Sequence, residues 1–292
     1  MKWLTAAVMR GLIGGLLAVL SAGGASALER ITYNRNSALP DDPRPAYSIG
    51  LLKLALGKVG IESDIQPHTE IYEQSRSIAE LAQGRSLRMI WTGTSPEREE
   101  QLRPVRIPLD RGLLGVRLLL VRPDMVPRIA AFKGPEELRD LLMGQGIGWP
   151  DLTILNRGGF RVMGSSYDML FTLLDRGRID AFPRASFEIR AEQAVHAARG
   201  TEFAIAPKFA IAYRFTSFFF LNKRDEALAR EIERGLMMAY DDGSFMAYFR
   251  SHPYTKDVVE ALHLAERQVL LLDNPLLSPE TRAIPDRFWE YP

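Results

Sequence analysis

Residues 91–98, Trp91-Thr92-Gly93-Thr94-Ser95-Pro96-Glu97-Arg98, have the types and spacing best suited to chemistry. An apolar run ends there and small hydroxyl residues follow. Ser95-Pro96-Glu97 then has the form of a helix start: a serine cap, proline in the first turn, and acids. Ligands of α/β sheets bind at the ends of parallel strands. A helix N-terminus adds free N–H groups and the positive end of a dipole. Arg98 adds a planar, two-pronged donor matched to a carboxylate. The expected chemistry is capture of an anion by Arg98, Thr92, Thr94 and Ser95. The same pattern also fits a capped surface helix whose Arg98 pairs with Glu97 or Glu100.

Other candidates are more isolated. Trp91 and Trp149 each end an expected strand and could stack on a ligand, or simply pack. Tyr167 opens a helix, and Asn34 follows the first strand, where it either meets a solute or makes the turn. Glu188 and Glu192 lie four apart on one helix face, as an acid/base pair or a solvated face. The four histidines, His68, His196, His252 and His263, share no metal-like spacing. Gly144, Gly146 and Gly148 lack the second half of a dinucleotide fingerprint and read as a loop before a strand. There is no G-x-S-x-G elbow, P-loop or cysteine nucleophile, and no metal or cofactor is expected.

The elements that would position these residues alternate between strand and helix. Arg30–Tyr33, Ile61–Ile65 and Leu87–Trp91 read as strands. Between them, the segments at 47–59 and 70–83 read as helices closed by Gly60 and Gly84. Further along, the expectation is a buried strand at 113–121, a helix at 135–143 and a short strand at 147–149. A helix at 166–176, a strand at 178–182 and a helix at 187–198 follow. The chain then gives a strand at 215–221 and two helices at 225–240 and 256–271. This order predicts an α/β protein with mostly parallel sheets. Phe288 and Trp289, near the end of a Pro-rich tail, are expected to pack back on the body.

Residues 1–27 have the form of a secretory signal: Lys2 and Arg10, a short apolar run, then Ala25-Ser26-Ala27. That run is about half the roughly 20 residues a membrane span needs. Cleavage after Ala27 would leave 265 of the 292 residues, enough for two lobes. It removes two of the 37 basic residues and none of the 36 acidic ones, giving a net charge near −1. Nothing in that balance favours a nucleic-acid backbone. An exported chain without cysteine is held together by packing rather than disulfides.

The 91–98 segment resembles the T-x-x-R region of the family 3 extracellular solute-binding proteins, the polar amino-acid binders of ABC transporters. Val105–Leu109 stands where that family has a short F-S-x-P-Y-like stretch. Leu174-Asp175-Arg176-Gly177-Arg178-Ile179-Asp180-Ala181 is similar to its L-x-x-G-R-x-D-A run. Phe219–Lys223, the helix after it and Asp242-Gly243-Ser244-Phe245 follow in the family order. The resemblance implies a type II periplasmic-binding-protein clamp with a mostly parallel sheet in each lobe. Residues 28–111 and 216–292 would form the first lobe and 112–215 the second, the end of the chain being an extension.

It also implies a monomeric periplasmic protein, not an enzyme, that passes a small polar solute to a membrane permease. Two departures stand out. The family carries an acid four or five residues after the position of Asp180, which holds the ligand ammonium; Arg184 and Ala185 stand there. Gly93 occupies a position that is often a hydroxyl. A buried Arg184 would repel an ammonium and attract a second anion, so a more acidic solute is expected. Two other readings remain open: a dehydratase-like enzyme on the same scaffold with Glu188 as its acid, and a degenerate clamp acting through a protein partner.

Overall fold

The computed structural model describes residues 28–35, 44–256, 258 and 262–290. The expected signal segment, with its cleavage site, lies outside the described residues. Strand β1 (Glu29–Tyr33) is followed by helix α1 (Arg44–Lys58), β2 (Ser63–Pro67), α2 (Gln74–Ala82), β3 (Met89–Gly93), α3 (Pro96–Gln101) and β4 (Arg103–Val105). The apolar residues of α1, Leu51, Leu52, Ala55 and Leu56, are buried on one face, as their helical spacing requires. Ser95 caps α3 by accepting the Arg98 N–H at 3.3 Å, with Pro96 in the first turn.

The chain then enters a second sheet with β5 (Val116–Val121). Helix α4 (Val126–Ala130), β6 (Leu142–Gly146), α5 (Pro150–Arg157), β7 (Arg161–Ser165), α6 (Tyr167–Asp175), β8 (Ala181–Ala185) and α7 (Ile189–Ala197) come next, then β9 (Ala204–Ile205) and β10 (Phe209–Ala212). It returns with β11 (Ser217–Leu221), α8 (Glu226–Asp241) and α9 (Ser244–Ser251), and a last strand, β12 (Gln268–Leu271), follows. The first sheet runs β2-β1-β3-β11-β4. The second runs β12-β10-β5-β8-β6-β7, with β9 also on β5.

The architecture is α/β, with two mixed sheets. Pairs among β1, β2 and β3 and among β6, β7 and β8 are parallel, whereas β11 and β5 run antiparallel to their neighbours β3, β4, β8 and β10. Large apolar clusters fill both lobes; Phe218, Phe219 and Phe220 of β11 lie in one and Leu119, Ile154 and Phe209 in the other.

Four expectations are corrected. Residues 135–140 form a 3-10 turn and 142–146 a strand, and the Gly144–Gly148 run is a strand followed by a turn into α5 rather than a loop before a strand. The expected helix at 256–271 ends in β12. The tail does not stay with the first lobe, because β12 pairs in parallel with β10 of the second sheet. A run such as Gln268-Val269-Leu270-Leu271 suits either element by pattern, and an open sheet edge decides for strand.

Helices α1 and α8 pack closely at Gly235, where an added Cβ would lie 2.0 Å from the Ala55 carbonyl oxygen. The contact is with rigid backbone, so Gly235→Ala forces the helices apart. A destabilisation of about 1–3 kcal/mol is expected in urea unfolding, and an unchanged midpoint would refute this packing.

Candidate functional site

Between the lobes lies a cleft of about 970 Å³, walled on one side by Asn34, Trp91, Thr92 and Arg98 and on the other by Trp149, Asp151, Tyr167 and Arg184. Arg98 is one of its cations and is only 6 % exposed. Its Nη1 donates to Thr92 Oγ1 at 3.0 Å and to the Gly93 carbonyl at 2.5 Å. Its Nη2 donates to Gln74 Oε1 at 2.5 Å and, across the cleft, to the Gly148 carbonyl at 3.1 Å. Gly148 can present that carbonyl because its φ of +77° lies in the left-handed region.

All four acceptors are neutral, and no carboxylate forms an ion pair with Arg98 among the described residues. Burial lowers its pKa to about 10, against the attraction of Asp151 and Glu97, so it remains charged at neutral pH. The cleft wall thus carries a buried positive charge without an ion-paired carboxylate.

Arg184 is a different case. Its Nε and Nη2 each donate to Glu192 at 2.6 Å, and Nη2 also meets Glu188 at 2.9 Å. Burial alone would lower its pKa, but the two carboxylates hold it well above the ordinary arginine value. Its guanidinium also lies over the rings of Phe182, Trp149 and Tyr167, at 4.8, 5.1 and 5.6 Å. The expectation that Arg184 draws a second anion is therefore corrected: two acids already compensate its charge. Glu188 is likewise engaged with that guanidinium.

The remaining sequence candidates divide. Thr92 joins the Arg98 network and also accepts from Gln74 Nε2 at 2.9 Å. Trp91 packs on Tyr33, with ring centroids 5.2 Å apart. Trp149 and Tyr167 stand 6.2 Å apart in the opposite wall. Asn34 reaches the cleft, but its amide is bonded at both ends to the backbone of Tyr72, at 2.9 Å each. Thr94 and Ser95 do not line the cleft. Thr94 donates to Glu99 at 2.5 Å on the back of α3, and Ser95 caps that helix.

The sequence reading missed Gln74, which shares the Arg98 network, and a buried triad. Arg117 meets Asp151 Oδ1 at 2.5 Å and donates through Nε to the Tyr213 hydroxyl at 2.9 Å. Tyr213 in turn donates to Asp151 Oδ1. Burial would lower the Arg117 pKa, but Asp151 and the Tyr213 oxygen together raise it.

No protein-family model matches the chain, and no curated protein matches it in sequence. Solved structures do match in shape. The probable amino-acid ABC transporter extracellular-binding protein YtmK from Bacillus subtilis superposes with a TM-score of 0.55, at 15% identity, over 78% of this chain and 98% of that one. A periplasmic His/Glu/Gln/Arg/opine family-binding protein from Silicibacter pomeroyi, in complex with lysine, gives 0.55 at 12% identity over 78% and 98%. The GluR0 ligand-binding core from Nostoc punctiforme, in complex with L-glutamate, gives 0.51 at 15% identity over 78% and 99%.

The chain has the two-lobed fold of the solute-binding proteins. These structural neighbours are binding proteins rather than enzymes. Arg98 stands in the cleft between the two lobes of this fold. Among the described residues no helix is long and apolar enough to cross a membrane, and no cluster of three or more metal-binding side chains occurs.

Proposed function

We propose that this protein is a secreted, periplasmic solute-binding protein that captures a small polar solute by its carboxylate and delivers it to an ABC-type permease. The observation that carries this reading is Arg98: a buried guanidinium, without a carboxylate partner, facing an interlobe cleft and already bonded to the opposite lobe. A solute carboxylate would reach that guanidinium at Nε–H or by displacing one of its four neutral acceptors, gaining a charge-assisted hydrogen bond. Closure of the lobes is favoured by any contact the solute makes with both walls.

The test is thermal unfolding of the protein, residues 28–292, against amino acids, dicarboxylates, sugars and peptides. A ligand at 100 times its Kd adds roughly 2.7 kcal/mol, which raises the midpoint by about 2–4 °C at this size. The shift is expected to vanish in Arg98→Ala. A folded protein that no compound stabilises would sink the proposal, as would a shift that survives Arg98→Ala intact.

A further inference from the structure

The cleft does not end beside Arg98. The same cavity of about 970 Å³ continues along the wall of the second lobe into a groove between α6 and α7. Its volume lies at the upper end of the roughly 300–1,000 Å³ that encloses drug-sized molecules, so a solute of a few atoms at Arg98 fills only one end. Two helix faces build the groove. Tyr167, Phe171 and Asp175 recur at every fourth residue of α6, and Ala191 and Val195 do so on α7.

A row of rings leads from the Arg98 network into this groove. Trp149 follows Gly148, whose carbonyl receives Arg98 Nη2. From Trp149 the ring centroids step to Tyr167 at 6.2 Å, to Phe171 at 5.1 Å and to His196 at 4.0 Å, where the imidazole stacks on Phe171. Phe203 lies against both of these last rings, at 6.1 and 5.5 Å. Burial, with Arg199 nearby, lowers the His196 pKa, so this ring is neutral at neutral pH. Glu188 and Glu192, the acids beside the path, are held by Arg184. Asp168, Asp175, Arg176 and Arg199 also line the cavity but are exposed. The groove is therefore apolar along its middle and joined to a buried cation at its inner end.

We infer that the solute is an elongated carboxylic acid with an apolar, aryl-ended body, its carboxylate at Arg98 and its body laid past Trp149 and Tyr167 so that the ring ends against Phe171 and His196. This rests on the clamp reading above and names the class of solute that the clamp takes. From Tyr167 to Phe171 the helix rises roughly 6 Å, so several methylenes separate the carboxylate from the ring.

The experiment is calorimetric titration of residues 28–292 with phenylacetate, 4-phenylbutanoate, 6-phenylhexanoate and 8-phenyloctanoate, alongside the compact acids alanine and succinate. Affinity is expected to rise roughly threefold for each methylene that lets the ring reach further into the groove, up to the length that fills it. Ala191→Trp from α7 and Thr172→Trp from α6 each place a large ring in the groove and are expected to flatten the series. Arg98→Ala is expected to weaken every member. A wild-type series that is flat or falls with length overturns the inference, and so does a rise that survives both groove variants; in either case the clamp stands if a compact acid binds through Arg98. If no acid of any length binds the folded wild type, the clamp reading falls and this inference with it. If one groove variant does not fold, the one from the facing helix decides, and if neither folds, the slope of the wild-type series decides.

Discussion

Truncation after Asp273 is expected to destabilise the protein by on the order of 5 kcal/mol and to loosen the first lobe from the second. After β12 joins the second sheet, the tail crosses back to the first lobe. Leu277, Ile284 and Phe288 are all buried, and Phe288 stands edge-on to Tyr240 of α8 with centroids 4.8 Å apart. Full burial of each such side chain contributes about 1.5–3 kcal/mol as an upper bound. Ser278 and Thr281 donate to the Glu99 carboxylate at 2.8 and 2.7 Å. Glu99 lies directly after Arg98 on α3, so the tail braces the helix that carries Arg98. Near the crossovers, Arg111 pairs with Glu290 at 3.0 Å, and Arg214 lies 4.4 Å over the Trp289 ring.

Denaturant unfolding measures the stability loss. The chain has no cysteine, so a label pair at Ile71→Cys and Ile147→Cys, on exposed positions of opposite lobes, measures the spread of interlobe distances. That spread is expected to broaden on truncation; an unchanged stability and spread would show the tail to be passive. Glu99 gives the same contact a pH signature. Burial pushes its carboxyl up, but hydrogen bonds from Thr94, Thr281, Ser278 and Arg106 prevail and hold it below the usual value. Its contribution is therefore present above the unfolded pKa, near 4.5, and is lost as pH falls through the folded value. The stability gap between wild type and Glu99→Gln is expected to shrink in acid.

Much of the first lobe was legible because its elements are amphipathic or punctuated. The apolar spacing of 51–56 and the Ser95-Pro96 start carry α1 and α3 without help from the rest of the fold. Strand β6 was not legible. Gly144 lies in it because an added Cβ there would stand 2.5 Å from Ile179 and 2.8 Å from Leu170, a packing demand that no local propensity expresses. The site divides in the same way. Arg98 was found because its cap, proline and strand end are contiguous. Gln74, Arg117, Asp151 and Tyr213 come from four separate stretches and meet only in three dimensions. One local signal did exist: Trp149-Pro150-Asp151 repeats the pattern of Ser95-Pro96-Glu97, a proline and an acid opening a helix after a strand. It was hidden by reading 147–149 as a strand.

Replacement of Asp110 by alanine is expected to cost about 4 kcal/mol, a large loss for one side chain, because Asp110 ties the two crossovers together. Oδ1 accepts the N–H groups of Gly112 and Leu114 at 3.0 and 3.4 Å and the Thr216 hydroxyl at 2.8 Å. Oδ2 accepts the Ser217 N–H at 2.9 Å. The first two donors belong to the outgoing crossover and the last two to the returning one, so alanine would leave donors unpaired in both. Asparagine keeps one acceptor and is expected to cost about half as much. The two acids that brace the hinge region titrate in opposite senses. Burial raises the Asp110 carboxyl above its ordinary value, more than the bonds from Ser217, Thr216 and Leu114 lower it. Its proton-linked contribution is thus fully present below the unfolded pKa and is lost as pH rises through the folded value. The gap between wild type and Asp110→Asn is expected to widen in acid, where the gap for Glu99→Gln narrows. Urea unfolding of both pairs across this range measures it, and parallel pH profiles would refute the assignment. Opposite profiles would mean that acid releases the tail while the crossovers stay tied, so the lobes loosen before they unfold.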